Sequence, residues 1–246
     1  MMRLETEATV CSLRSHGEHG AIVRLLTGGE GLVAAYVRSA RGRRMRPILI
    51  PGNVVQARLS SRTDGQLPQA EIELVHSRAQ MLSEPLPAAA IEWATALTAT
   101  ILPEGQQYPR LHATLEGLLS AIEAAPSASG WGAALVRYEI LLLAELGFGL
   151  DLEACAVSGA QDELVAVSPR SGRAVSAAEA APYAGKLLPL PAFVKEGGPG
   201  TWADIAAGLE LTGHFLARDL LTDRSAPLVE ARDRLADRLR RAGGLD

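Results

Sequence analysis

At 246 residues, with a formal net charge of −4, 48% apolar and 21% charged residues, the chain has the length of one large domain or two ordinary ones and the composition of a globular protein. Its longest apolar run, Ile140 to Ala144, is far too short to span a bilayer, and the start Met-Met-Arg-Leu-Glu-Thr-Glu has no apolar signal core. Two cysteines, Cys11 and Cys155, cannot build a disulfide framework, so a cytoplasmic protein without a membrane partner is expected.

The first eighty residues read as β. Ala8 to Arg14 is a short run ending at the polar stretch Ser15-His16-Gly17-Glu18, and Ala21 to Thr27 is a second. Gly28-Gly29-Glu30-Gly31 is a turn signal, and Leu32 to Val37 follows, so these two runs predict a hairpin. Val55, Ala57 and Leu59 then alternate with Gln56, Arg58 and Ser60, and Ala70, Ile72 and Leu74 alternate after the turn Thr63-Asp64-Gly65-Gln66. Five short strands joined by turns predict a small closed barrel, and a Greek-key barrel of OB type fits the count.

Between the third and fourth of these strands lies Arg38 to Arg46, with five arginines in nine residues: Arg38, Arg41, Arg43, Arg44 and Arg46. From Glu30 to Asp64 there are seven arginines and no carboxylate between those two acids. Residues 1–80 hold 11 basic and 7 acidic residues against 13 and 21 in residues 81–246, so an acidic chain has gathered its positive charge in one segment. A guanidinium is a permanent charge on a planar fork that matches phosphate, and such clustering points to a polyanion. A solvated loop with no partner is the plain alternative. Only one aromatic, Tyr36, lies in residues 1–80, so base stacking is scarce and arginine–phosphate contacts should dominate. The expected binding is sequence-blind, salt-dependent and open to both single and double strands of nucleic acid. Arg14, Arg24 and Arg58 are candidate flanking contacts.

From Met81 the period changes. Ile91, Ala94, Thr98 and Ile101 recur at helical spacing before Pro103, and Leu111, Leu115, Leu118 and Ile122 form a second stripe before Pro126. Trp131 to Leu146 is apolar almost all round, the pattern of a buried helix, and Gly147 and Gly149 end it. Asp151 to Val194 has no helical stripe and predicts a small irregular module with a β pair, Leu164 to Val167 and Arg173 to Val175. Thr201 with Asp204 predicts a capping box ahead of Ile205, Leu209, Leu216 and Leu220. Pro227 opens a last helix carrying Leu228, Ala231, Leu235 and Leu239. The expected architecture is α+β and multidomain: a barrel over residues 1–80, then a helical domain over 81–246 with an inserted module at 151–194.

The search for catalytic chemistry finds neither Gly-x-Ser-x-Gly nor His-Glu-x-x-His. Gly185-Lys186 lacks the first glycine and the following Ser or Thr of a phosphate-binding loop, since Ala180 and Leu187 stand there. His16, Glu18 and His19 lie in a polar turn without a fourth metal ligand. Cys155 opens Cys-Ala-Val-Ser-Gly, a Cys-x-x-Cys knuckle with Ser158 in the second place, and Ser176-Ala-Ala-Glu179 repeats the gap. One thiol, two hydroxyls and a carboxylate are a poor zinc set, so a buried, unreactive Cys155 is expected, with no metal, no cofactor and no enzyme activity.

The chain resembles the RecO family of bacterial recombination mediators. The resemblance rests on Gly17-Glu18, Ala21 to Thr27, Glu30-Gly-Leu-Val33 and the arginine loop through Arg46; on Arg137-Tyr-Glu139, Leu146-Gly-Phe-Gly149 and Cys155; on Ser168-Pro169 and Gly172; and on Ala231-Arg232 with Leu235. It implies an OB fold, a helical domain, and a zinc-ribbon-like module that here has lost three of four cysteines, at Ser158, Ser176 and Glu179. It further implies a nucleoid-associated DNA repair mediator that anneals complementary strands. Such a protein works with RecR and helps load RecA onto strands coated by single-strand DNA-binding protein. That coating protein's acidic C-terminal tail would meet Arg137, beside Val136, where some members carry a second arginine. Arg137 is equally placed to be an ion-pair partner of Glu139 or Glu145. The rival functions are an RNA-binding OB protein of the translation apparatus, an enzyme whose residues converge from afar, and an adaptor in which DNA binding is incidental.

Overall fold

The computed structural model describes residues 2–63, 65–125, 127–221 and 225–245, which form two compact units, 1–123 and 124–246. An N-terminal five-stranded sheet precedes the helices, as the change of hydrophobic period predicts.

In the first unit the strands are β1 (Met2–His16), β2 (Gly20–Thr27), β3 (Gly31–Val37), β4 (Val54–Ser61) and β5 (Gln69–His76). They close in the order β1-β2-β3-β5-β4, with β4 returning to β1. β1 is longer than its apolar run. Its first half pairs with β4, Met2 opposite Ser61, while its second half pairs with β2, His16 opposite Gly20. One strand thus closes the ring on both sides, and the register shifts between Val10 and Ser12. β3 and β5 meet in parallel only at Tyr36 and Gln69. The inward residues include Val10, Val23, Leu25, Ala35, Val37, Val55, Ala57, Leu59 and Ile72, one face of each alternating strand.

Helices α1 (Pro85–Ile101) and α2 (Pro109–Ala124) belong with this barrel. Mid-β1 is buried on both faces: Val10 points to the barrel core, and the outward Thr9 donates its hydroxyl proton to Glu116 of α2. Burial pushes the Cys11 thiol up to about 12. Compactness therefore divides the chain after α2, whereas the change of hydrophobic period divides it near residue 80.

The second unit contains α3 (Gly132–Glu145), β6 (Leu164–Val167), β7 (Ala174–Ser176), α4 (Ala177–Ala180), β8 (Leu188–Pro189), α5 (Ala192–Glu196), α6 (Trp202–Asp219) and α7 (Ala226–Ala242). β8 adds a third strand to the predicted pair, in the order β7-β6-β8. Thr201 and Asp204 form the capping box of α6. The nearly polar-free α3 buries Leu135, Val136, Tyr138, Leu142 and Leu143 and, unexpectedly, Glu139. Among the described residues no helix is long and apolar enough to cross a membrane.

Candidate nucleic-acid interface

The segment between β3 and β4 is held from beneath. Ser39 sits in the left-handed region (φ 56°) and turns the chain out of β3. Two consecutive turns follow, the amides of Met45 and Arg46 donating to the Gly42 carbonyl and those of Ile48 and Leu49 to that of Met45. This winding sends Ala40 and Leu49 into the barrel core, with Met45 and Ile48 packed against it. Arg38, Arg41, Arg43, Arg44 and Arg46 point to solvent. The apolar residues at 40, 45, 48 and 49 are anchors, and the arginines are what they present.

Asn53 locks the far end and is fully buried. Its Nδ2 donates to the carbonyls of Pro47 (3.0 Å) and Ile48 (3.1 Å), and its Oδ1 accepts from the Arg78 amide (2.8 Å). These partners fix which way the side-chain amide points. The Arg78 guanidinium, also buried, donates to the Gly52 carbonyl (2.6 Å) and pairs with Glu116 (3.0 Å) and Glu123 (2.9 Å) of α2. A buried arginine holding two carboxylates is tolerable because its charge is paired and its protons are used. The loop is tied through it to α2.

The β1–β2 turn lies alongside. Arg41 donates to the carbonyl of Glu18 (3.3 Å) from its side chain and to that of His19 (3.4 Å) from its amide. The half-buried Tyr36 ring lies over Gly20, where any Cβ would come within 2.2 Å of the phenol oxygen, and meets His16 edge-on at 5.9 Å. Arg14, exposed, is two residues before that histidine. The five loop arginines, Tyr36 and Arg14 thus share one end of the barrel. His16 joins them without a sequence signal, because its neighbour Tyr36 is twenty residues away across two strands.

The other two candidate flanking arginines are engaged elsewhere. Arg24 donates to the Ala99 carbonyl and pairs with Glu104 (2.9 Å), pinning the end of α1 to β2. Arg58 pairs with Glu5 (3.1 Å) and Glu73 (3.4 Å), and the Glu5 carboxylate raises its pKa above the usual arginine value. Among the described residues no carboxylate pairs with any of the five loop arginines.

In the second unit, Arg137 donates to the Gly198 carbonyl (2.8 Å) and lies 5.8 Å over the Phe193 ring. Glu139 is not its partner. That carboxylate pairs with Arg232 of α7 (3.0 Å) and accepts from Thr212 of α6, all three groups being buried. Val136 is buried against Gly208. Cys155 is buried, and its sulfur accepts from the amide (3.3 Å) and hydroxyl (3.4 Å) of Ser176. Hydrogen bonds from Ser158, and then from Ser176, lower its pKa to about 6, with burial the smallest and opposing influence. The thiol is buried as expected, and these donors hold its pKa below the ordinary thiol value. Among the described residues no group of three or more His, Cys, Asp or Glu side chains gathers as metal ligands.

Family models cover nearly the whole of this arrangement: "Recombination protein O N terminal" matches residues 1–78 and "Recombination protein O C terminal" matches residues 83–225. The chain belongs to the RecO family. Relatives named DNA repair protein RecO include that of Caulobacter vibrioides, 46% identical over 99% of this chain and 100% of its own length. That of Gluconacetobacter diazotrophicus is 45% identical over 96% of this chain and 94% of its own. That of Cereibacter sphaeroides is 39% identical over 98% and 100%. In this RecO family member the N-terminal match ends at Arg78, the residue that ties the arginine loop to α2.

Proposed function

We propose that this chain is a non-enzymatic, cytoplasmic, nucleoid-associated DNA repair mediator of homologous recombination. Its barrel is read as an OB fold that binds single- and double-stranded DNA without regard to sequence. One observation carries the proposal: five exposed guanidinium groups without carboxylate partners among the described residues, carried on a loop that buried apolar side chains and Asn53 hold in one shape. A preformed loop loses little freedom on binding, and counterions released from the phosphates supply the affinity. Tyr36, with His16 at its edge, gives one stacking surface for an unpaired base. Arginines that neutralise phosphates reduce the repulsion between two strands and leave base edges free to pair, which is a physical route to annealing.

The second unit serves partners. Arg137 over Phe193 is the proposed contact for the acidic C-terminal tail of single-strand DNA-binding protein. With Val136 in the core, that contact rests on one arginine. RecR is the expected co-mediator, and RecA is reached indirectly through strand loading. Cys155 is read as the remnant of a zinc knuckle whose other three positions are Ser158, Ser176 and Glu179, so no metal or other cofactor enters the mechanism.

The test is a fluorescence annealing assay with complementary strands pre-coated by single-strand DNA-binding protein. The chain should accelerate annealing, and Arg137→Ala should lose the advantage on coated strands while keeping it on bare ones. Equal or tighter binding to matched RNA, with no annealing of DNA, would favour a translation-associated RNA-binding protein instead.

A further inference from the structure

Three hydrocarbon side chains and one thioether anchor the arginine loop. Ala40 and Leu49 lie in the barrel core, and Ile48 and Met45 pack against it. Of the four, only Met45 carries an atom that two-electron oxidants attack. Its backbone belongs to both turns of the loop. The Met45 amide donates to the Gly42 carbonyl (3.0 Å), and the Met45 carbonyl accepts from the amides of Ile48 and Leu49 (3.0 Å each). Its side chain is half-buried, in contact with the core cluster and still reached by solvent. Met81, half-buried in a short 3₁₀ turn (Ala79–Ser83) after β5, has comparable exposure and lies outside the loop.

Oxidation reverses the environment that this anchor prefers. A sulfur lone pair attacks one oxygen of a peroxide, and an S–O bond forms as the O–O bond breaks. The hydroxyl left on sulfur gives its proton to the departing hydroxide, which leaves as water. Sulfur is thereby oxidised by two electrons and the peroxide reduced by two, giving methionine sulfoxide. The sulfoxide oxygen is a strong hydrogen-bond acceptor, and holding it against an apolar cluster without a donor is unfavourable. Arg43, Arg44 and Arg46, next to Met45 in the chain, are exposed donors. The oxidised side chain is therefore drawn outward, off the core.

We propose that Met45 is a modification site, at which a peroxide-class oxidant releases the arginine loop by turning its thioether anchor into a polar sulfoxide. Release leaves the five guanidinium groups in place along the chain but no longer held in one shape, so any polyanion must order them on binding. That consequence rests on the polyanion reading of the loop, whereas the release itself does not.

The experiment treats the full chain with hydrogen peroxide and locates sulfoxide by the mass of its peptides. Two readouts follow: trypsin cleavage after Arg41, Arg43 and Arg44, and affinity for duplex DNA. Arg46 is excluded from the first because Pro47 follows it. The oxidised loop should be cut faster than the untreated one, because cleavage of a folded segment tracks its opening. Duplex DNA should bind about tenfold more weakly, the cost of ordering a freed loop. Methionine sulfoxide reductases for both epimers should reverse both changes. A Met45→Leu chain, close in side-chain volume, should give the same cleavage and affinity before and after peroxide, while Met81→Leu should respond as the unaltered chain does. Sulfoxide at Met45 without faster loop cleavage, or a Met45→Leu chain that still responds, would overturn the site. So would a Met45 that stays a thioether while Met81 is oxidised. Faster cleavage with unaltered DNA affinity would leave the modification site standing and remove the polyanion reading of the loop.

Discussion

Single residues set the behaviour of both cysteines and of the loop. Cys11 and Cys155 lie on opposite sides of the usual thiol range because one meets mainly burial and the other mainly hydrogen-bond donors. In a Cys11→Ala variant the ultraviolet thiolate absorbance should titrate with a midpoint at about 6, and a midpoint near 9 would contradict the donor geometry. The sign for stability follows. A thiol with a depressed pKa stabilises the fold above its unfolded value of about 8.5, and that contribution is lost as pH falls through about 6. Asn53 acts without charge. Replacing it with alanine strands the Pro47 and Ile48 carbonyls and the Arg78 amide, at about 1–3 kcal/mol for each group left buried and unsatisfied. Asn53→Ala should lower stability in urea and weaken DNA binding although no arginine is touched. The role of Asn53 could not be read from the sequence, since an asparagine before a strand looks like an ordinary turn residue.

Among the elements, strands with clean alternation were legible, and so were helices with a stripe. β2 and β3 follow their apolar runs to within one residue, because one face is core and the other is water. β1 outruns its apolar part because pairing with β4, not burial, holds residues 2–7 extended. β8 is two residues long, too short to show any period. α3 was legible as a buried helix, but the fate of Glu139 was not, for its partners Arg232 and Thr212 lie 93 and 73 residues away. That triad joins α3, α6 and α7. Close approach is possible because a Cβ at Gly213 would come within 2.4 Å of the Arg232 guanidinium. Glu139→Ala or Arg232→Ala alone should cost about 3–5 kcal/mol by leaving an uncompensated buried charge. Replacing both with apolar residues of similar volume should recover most of it. Urea unfolding of the two single variants and the double variant checks this, and additive losses would show that the pair does not act as a unit.

For the whole molecule, charge is distributed more sharply than the sequence totals indicate. The unit of residues 1–123 carries 12 basic and 12 acidic residues and is neutral overall. Of the acids that α1, α2 and the turn between them add to the barrel, Glu104 pairs with Arg24, and Glu116 and Glu123 pair with Arg78. Local pairs absorb these carboxylates, and among the described residues no carboxylate pairs with the five loop guanidinium groups. Clustering of arginine was therefore the part of the site visible in the sequence. Which flanking arginines remain available was not, because Arg24 and Arg58 meet their carboxylates only through the fold. The most direct test of the account is the salt dependence of duplex DNA binding by a chain with all five loop arginines changed to alanine. The account predicts a plot of log affinity against log salt flatter by about 0.9 for each phosphate that the altered loop no longer neutralises. A slope equal to that of the unaltered chain would place the DNA-binding surface elsewhere.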